Sequence, residues 1–127
     1  MLIFGNKYIP SPQFKAITKI EDIKSTTAKD ILYLNELKAP YTIAKWCADN
    51  ALKYAVKVES IQEALFANAF LATYIVCEET LAIQLQNIAN EYLWDSKILA
   101  VISDDSNLET LAKASVDGVI YQNYIKD

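Results

Sequence analysis

From Asp30 onward the chain alternates short runs dense in β-branched and aromatic residues with amphipathic runs, and this alternation limits its fold more than any other feature. It predicts strands at Ile31 to Asn35 (ILYLN), Tyr54 to Val58 (YAVKV), Thr73 to Cys77 (TYIVC), Ile98 to Ile102 (ILAVI) and Gly118 to Tyr121 (GVIY). Four helices are expected between them. The clearest runs from about Thr80 to Trp94, where Leu81, Leu85, Ile88 and Tyr92 recur at helical spacing. Helix starts are legible as well. Ser60 followed by Glu63, and Ser106 followed by Glu109, fit the capping box, in which hydroxyl and carboxylate satisfy otherwise unpaired backbone amides. Strands that alternate with helices need crossover connections, and right-handed crossovers give a parallel sheet flanked by helices. The expected architecture is a doubly wound, three-layer Rossmann-like α/β domain with a five-stranded parallel sheet in the order 2-1-3-4-5.

The first thirty residues break this rhythm. MLIFGNKYI and FKAIT flank Pro10-Ser-Pro12, and Thr18-Lys-Ile-Glu21 is a third capping box opening a short helix over IEDIKS. An N-terminal extended arm or hairpin followed by that helix is expected over residues 1–29, with the parallel core over 30–127, all in one domain. A length of 127 residues suits that count.

Composition removes several kinds of chemistry. The chain has no histidine, and all twelve of its basic residues are lysine. Imidazole acid–base catalysis, Ser-His and Cys-His nucleophiles, histidine metal sites and arginine forks on phosphate or guanine are therefore excluded. A net charge of -4 opposes binding to a phosphate backbone or an anionic membrane surface, so no nucleic-acid partner is expected. No apolar run approaches the roughly 18 residues of a membrane span, and MLIFGNKYIPSP lacks the organisation of a signal peptide. A soluble, cytoplasmic protein without membrane insertion is expected. Cys47 and Cys77 sit among apolar residues and read as reduced core thiols rather than a disulfide or metal pair.

In open α/β sheets ligands bind beyond the carboxyl ends of the strands, where strand order reverses. The residues just past the expected strands include Asn35, Glu36, Glu59, Glu78, Glu79, Ser103, Asp104 and Asp105, which makes one rim strongly acidic. Two readings apply. Acidic groups near helix amino termini are what capping and the macrodipole favour, each contributing about 0.3–1 kcal/mol. Alternatively, oxygen ligands of this type suit Mg²⁺ or Ca²⁺ without histidine. The identity of any metal is open. The turn after the first core strand reads Asn35-Glu-Leu-Lys-Ala-Pro40-Tyr41 and has no glycine to let backbone amides approach a pyrophosphate, so no dinucleotide cofactor is expected.

Residues Ala72 to Ile125 resemble the second half of the RCK/KTN domains that regulate potassium channels and uptake systems. Three features carry the resemblance: the strand ATYIVCEE, the long helix LAIQLQNIANEYL, and the segment KILAVISDDSNLETLAKASVDGVIY. The last is similar to that family's strand, short acidic turn, helix and closing "G-A-D-x-V-I" element, with Ser115-Val-Asp117-Gly118-Val-Ile120 in its place. The resemblance implies a regulatory domain of potassium transport. The first half departs from the family, lacking both the glycine loop and the acidic residue after the second strand, so dinucleotide control is expected to be lost. SVDGVIY is also similar to a late unit of phosphate-binding (β/α)₈ barrels, and VKVESIQEAL to quinolinate phosphoribosyltransferase-like barrels. Five strands cannot close such a barrel, which ranks this resemblance second.

The functional expectation is a non-catalytic regulatory or scaffolding module. The alternative is a small-ligand or cation-binding protein, or an enzyme, using the acidic strand-end crevice. For assembly, the apolar arm with Ile3, Phe4 and Tyr8, and the tail with Tyr121, Tyr124 and Ile125, are the interface candidates. They favour a homodimer or another protein partner over the arm folding back on its own sheet edge.

Overall fold

A computed structural model describes residues 1–125. Its strands are β1 (Leu2–Phe4), β2 (Phe14–Ala16), β3 (Ile31–Leu34), β4 (Tyr54–Lys57), β5 (Tyr74–Cys77), β6 (Lys97–Ile102) and β7 (Gly118–Tyr121). The α-helices are α1 (Thr42–Asp49), α2 (Ile61–Ala69), α3 (Glu79–Glu91) and α4 (Leu108–Lys113), and Ile20–Ser25 forms a 3₁₀ helix. All strands pair in parallel in one seven-stranded sheet, ordered β1-β7-β6-β5-β4-β3-β2. Among the described residues no helix is long and apolar enough to cross a membrane.

The expected α/β class with a wholly parallel sheet and surrounding helices holds. The five strands and the order 2-1-3-4-5 do not. Residues 1–29 form neither a free arm nor a hairpin: β1 pairs with β7 (Leu2↔Gly118, Phe4↔Ile120) and β2 with β3 (Phe14↔Ile31, Ala16↔Tyr33), at opposite edges of the sheet. Gly118 makes the first pairing sterically open, since a Cβ there would lie 2.7 Å from Leu2 Cβ and 2.8 Å from the Leu2 carbonyl oxygen.

The corrected order has a direct consequence. From β2 to β7 each strand lies beside its predecessor, so every right-handed crossover advances the same way and leaves its helix on the same face. One core cluster accordingly joins Leu32, Val56, Ile75, Ile98 and Val119 to Ala44 and Cys47 of α1, Ala64 and Ala67 of α2, Leu85 and Ala89 of α3, and Leu111 of α4. The alternate strand positions, Phe4, Phe14, Ile31, Tyr33, Ala55, Val76, Leu99 and Ile120, form a second cluster containing no helix residue. That inner face covers itself by curling. The rings of Phe4 and Phe14, from the two edge strands, are 5.5 Å apart, and those of Phe4 and Tyr74 of the central strand 5.4 Å. In a flat sheet the edges would lie about 29 Å apart, at about 4.8 Å per strand. The sheet is thus an incomplete barrel with aromatic filling.

Buried polar groups are tied in. Gln86, on α3, accepts the Asp117 N–H (2.9 Å) and donates to Asn90 Oδ1 (3.0 Å), while the Asp117 carboxylate accepts the Ile98 N–H (2.9 Å). Ser96 donates to the Ala72 carbonyl (2.6 Å).

Candidate functional site

The loops after the strands collect at one end of the curled sheet, and the acidic candidates do gather on this rim. Most of their side chains have local work. Glu78 caps α3, accepting the N–H groups of Leu81 (2.7 Å) and Thr80 (3.1 Å). Asp104 accepts both the N–H (2.9 Å) and the hydroxyl (2.5 Å) of Ser106, bonds that lower its pKa. The expected Ser106–Glu109 box does not form, because the nearer Asp104 engages Ser106 and α4 starts only at Leu108. Glu79 receives the Asn107 side-chain amide (3.1 Å). Asp105 accepts the Tyr121 hydroxyl, and that bond raises the Tyr121 pKa. Asn6 in turn donates to the Tyr121 oxygen (3.2 Å). The Ser60 half of the expected box forms, with Glu63 N–H on Ser60 Oγ (3.1 Å), while the Glu63 carboxylate reaches one residue further back and accepts the Glu59 N–H (2.9 Å). Glu59 and Ser103 themselves are exposed. Among the described residues no group of three or more acidic or cysteine side chains is arranged to hold a metal ion.

Asn35 and Glu36 stand apart from this set. With Thr18, Lys19, Glu21, Lys38, Tyr41 and Thr42 they border a depression of about 680 Å³ floored by Ile17, Leu34, Leu37 and Ile43. Its wall turns through a cis Ala39–Pro40 bond and Tyr41, which sits at φ 63° and leads into α1 without a side-chain cap. The Tyr41 ring packs on Phe66 (5.4 Å) and Phe70 (5.3 Å) of the next helix unit. Across the depression, the Asp22 carboxylate accepts the Thr18 N–H (2.9 Å) and the Lys19 N–H (3.2 Å), which fixes the start of the 3₁₀ helix and lowers the Asp22 pKa. The expected box used Glu21; the acceptor is one residue later.

Thr18, Lys19 and Glu21 join the depression because β2 pairs with β3 and carries the start of the short helix to the end of β3, a long-range pairing that the local signals of residues 1–29 do not disclose. Lys57 was missed too. By alternation it lies on the inner face, at the carboxyl end of β4 and half-buried, and strand parity alone could have found it.

The interface candidates divide. Phe4 is buried inside the curled sheet, and Ile3 is half-buried against the helix-side core. Tyr124 packs edge-on against Phe14 (6.0 Å) and donates its hydroxyl to the Pro12 carbonyl, while Ile125 is partly buried on the inner cluster. Tyr121 is engaged with Asp105. Tyr8 is exposed and lies under the Lys7 ammonium (5.0 Å).

Cys47 and Cys77 are fully buried free thiols on the helix side of the sheet, with pKa values pushed up by burial to about 11 and about 12. Neither borders the depression. No family model matches the chain, and none of the curated proteins gives a significant match.

Proposed function

We propose that the chain is a non-catalytic regulatory or scaffolding module that self-associates. The observation that carries this reading is that the inside of the curled sheet is packed by Phe4, Phe14 and Tyr74, while the rim carboxylates Glu78, Glu79, Asp104 and Asp105 are engaged in caps and local pairs. An enzyme places converging polar groups in a deep pocket, and such a set is what this rim lacks among its described residues. Kinship with potassium-transport regulatory domains belongs to the same proposal. It rests on Ala72 to Ile125, whose β5, β6 and β7 are successive neighbours, as strands are in either half of a doubly wound sheet. A cytoplasmic location goes with it.

The depression beside β2 and β3 favours a second reading, small-ligand binding at Asn35 and Glu36. A thermal-shift screen of NAD, NADH, ATP, Mg²⁺ and Ca²⁺ separates the two. A ligand present at a hundred times its Kd stabilises the native state by about 2.7 kcal/mol, or roughly 10 °C for a domain of this size. The regulatory reading expects an unchanged melting temperature with all five. A saturable rise that Glu36→Ala abolishes would establish the second reading instead.

A further inference from the structure

We infer that the C-terminal turn at Tyr124 is a clasp on the seam of the curled sheet, and that β1, the link over 5–13, β2 and this turn detach as one unit while the rest of the domain stays folded. The inference goes beyond the reading above and does not depend on it. The seam between the two edge strands is the weakest line of the sheet. β1 and β2 have three residues each, and each pairs on one side only, with β7 and with β3. Of their residues only Phe4 and Phe14 are buried. No helix backs those two rings, because they belong to the inner cluster, which holds no helix residue. The strand order also leaves the two edges without backbone pairing to each other.

Side chains and the turn close what the backbone leaves open. Phe4 and Phe14 meet across the seam at 5.5 Å. Tyr124 engages both sides of it. Towards β2 its hydroxyl is donated to the Pro12 carbonyl and its ring packs on Phe14 at 6.0 Å. Towards β1 it lies against the bare Cα of Gly5, at φ 93°, where a Cβ would stand 2.5 Å from Tyr124 Cβ and 2.7 Å from its Cγ. The Gly5 N–H is donated to Ser11 Oγ (2.9 Å), which draws the two ends of the link together. Each edge thus supports the turn and the turn supports each edge. Segments that depend on one another in this way, with little other burial, open cooperatively below global unfolding. Ile17, buried in the helix-side core, bounds the unit. Detachment bares the Tyr74 ring and the edges of β3 and β7, and leaves the five central strands and four helices in place.

Native-state amide hydrogen exchange of the full chain tests this. Two reporters stand on opposite edges: the Leu2 amide, donated to the Asp117 carbonyl (2.9 Å), and the Ile31 amide, donated to the Gln13 carbonyl (2.8 Å). In the wild type both should show one common protection factor, roughly tenfold or more below that of the slowest amides of β4 to β6. Tyr124→Leu removes a hydrogen bond and a ring contact and should accelerate both reporters by the same factor, about tenfold. Ile75→Val, in the helix-side core, should accelerate the slowest amides of β4 to β6 about fivefold and leave both reporters unchanged, since that core stays folded when the seam opens. Gly5→Ala, whose Cβ displaces the turn without altering the Tyr124 ring, should accelerate Ile31 on the far edge. Reporters that speed up with Ile75→Val as much as the central amides do would mean that the seam opens only with the whole domain, which overturns the inference. Unequal factors for Leu2 and Ile31 in Tyr124→Leu, or an Ile31 amide indifferent to Gly5→Ala, would mean that the edges open separately and that the turn is no clasp.

Discussion

The curled sheet can be tested by asking whether three rings know of one another. Phe4 on β1, Phe14 on β2 and Tyr74 on β5 form a triangle with centroid distances of 5.5, 5.4 and 6.1 Å. Two strands separate each edge strand from β5, and the whole sheet separates β1 from β2. In a flat sheet, either edge would be about 14 Å from β5. Each residue would be replaced by leucine, singly and in pairs, and stability read from urea unfolding followed by circular dichroism. A Phe→Leu change at a site 7% exposed costs about 1–1.5 kcal/mol, and a chain of this kind has about 5–15 kcal/mol in total, so the pair variants remain folded. The informative quantity is the coupling. Aromatic pairs at these separations contribute about 0.5–1.5 kcal/mol beyond area burial, whereas residues well apart add within about 0.3–0.5 kcal/mol.

All three pairs should therefore show coupling of about 1 kcal/mol. The pattern of failure is diagnostic. Coupling between Phe4 and Phe14 alone, with neither coupled to Tyr74, is what a local N-terminal hairpin would give, and it would refute closure of the sheet. Additivity in all three cycles would refute the filled interior, and with it the main support for a non-catalytic reading.

Two further predictions concern strain and buried thiols. Each α-helix is followed by a non-glycine residue in the left-handed region, Ala51, Leu71, Leu93 and Ser115, and Leu93 (φ 55°) is 85% exposed. The left-handed conformation costs about 1–2 kcal/mol and glycine loosens the unfolded chain by about 0.4–1 kcal/mol, so Leu93→Gly should stabilise by roughly 0.5 kcal/mol in urea melts; a loss of stability would mean that the leucine makes contacts of its own. Burial raises the Cys47 and Cys77 pKa values to about 11 and about 12, so their contribution is complete below the unfolded thiol value near pH 8.5 and declines above it, by about 1.4 kcal/mol per pH unit for each thiol. Urea melts at about pH 8 and 9.5 should show a steeper loss in the wild type than in Cys47→Ala/Cys77→Ala, since the small tyrosine contribution at pH 9.5 is common to both; equal slopes would contradict it.

How much was legible in the sequence follows from the range of each interaction. The five central strands and four helices could be read because period and composition are local, and Ser60 with Glu63 closed as a cap for the same reason. β1 and β2 have three residues each, too few to show a period, and their pairing reaches across the chain, Leu2 to Gly118 in the first case. Strand order was illegible because alternation fixes the hand of each crossover but not which neighbour it leads to. At the site, strand ends located the rim correctly. The partners that occupy it, such as Asn107 on Glu79 or Asp105 on Tyr121, depend on the order of β5, β6 and β7 and could not be read locally.

That order also changes what the motif residues mean. In a doubly wound sheet both faces carry helices, and the reversal of strand order opens a crevice where ligands sit. Here the run from β2 to β7 has no reversal, the inner face closes on its own aromatic rings, and the Asp117-Gly118 pair does structural work. Asp117 holds the Ile98 amide, and Gly118 admits β1 at a distance a Cβ would forbid. A sheet wound in one direction leaves two places where surface chemistry can be specific: the depression beside β2 and β3, at the end of the run, and the outward sides of the helices. Of the helices, α1, α3 and α4 turn mainly polar rows outward, while α2 exposes Ile61, Leu65 and Phe66.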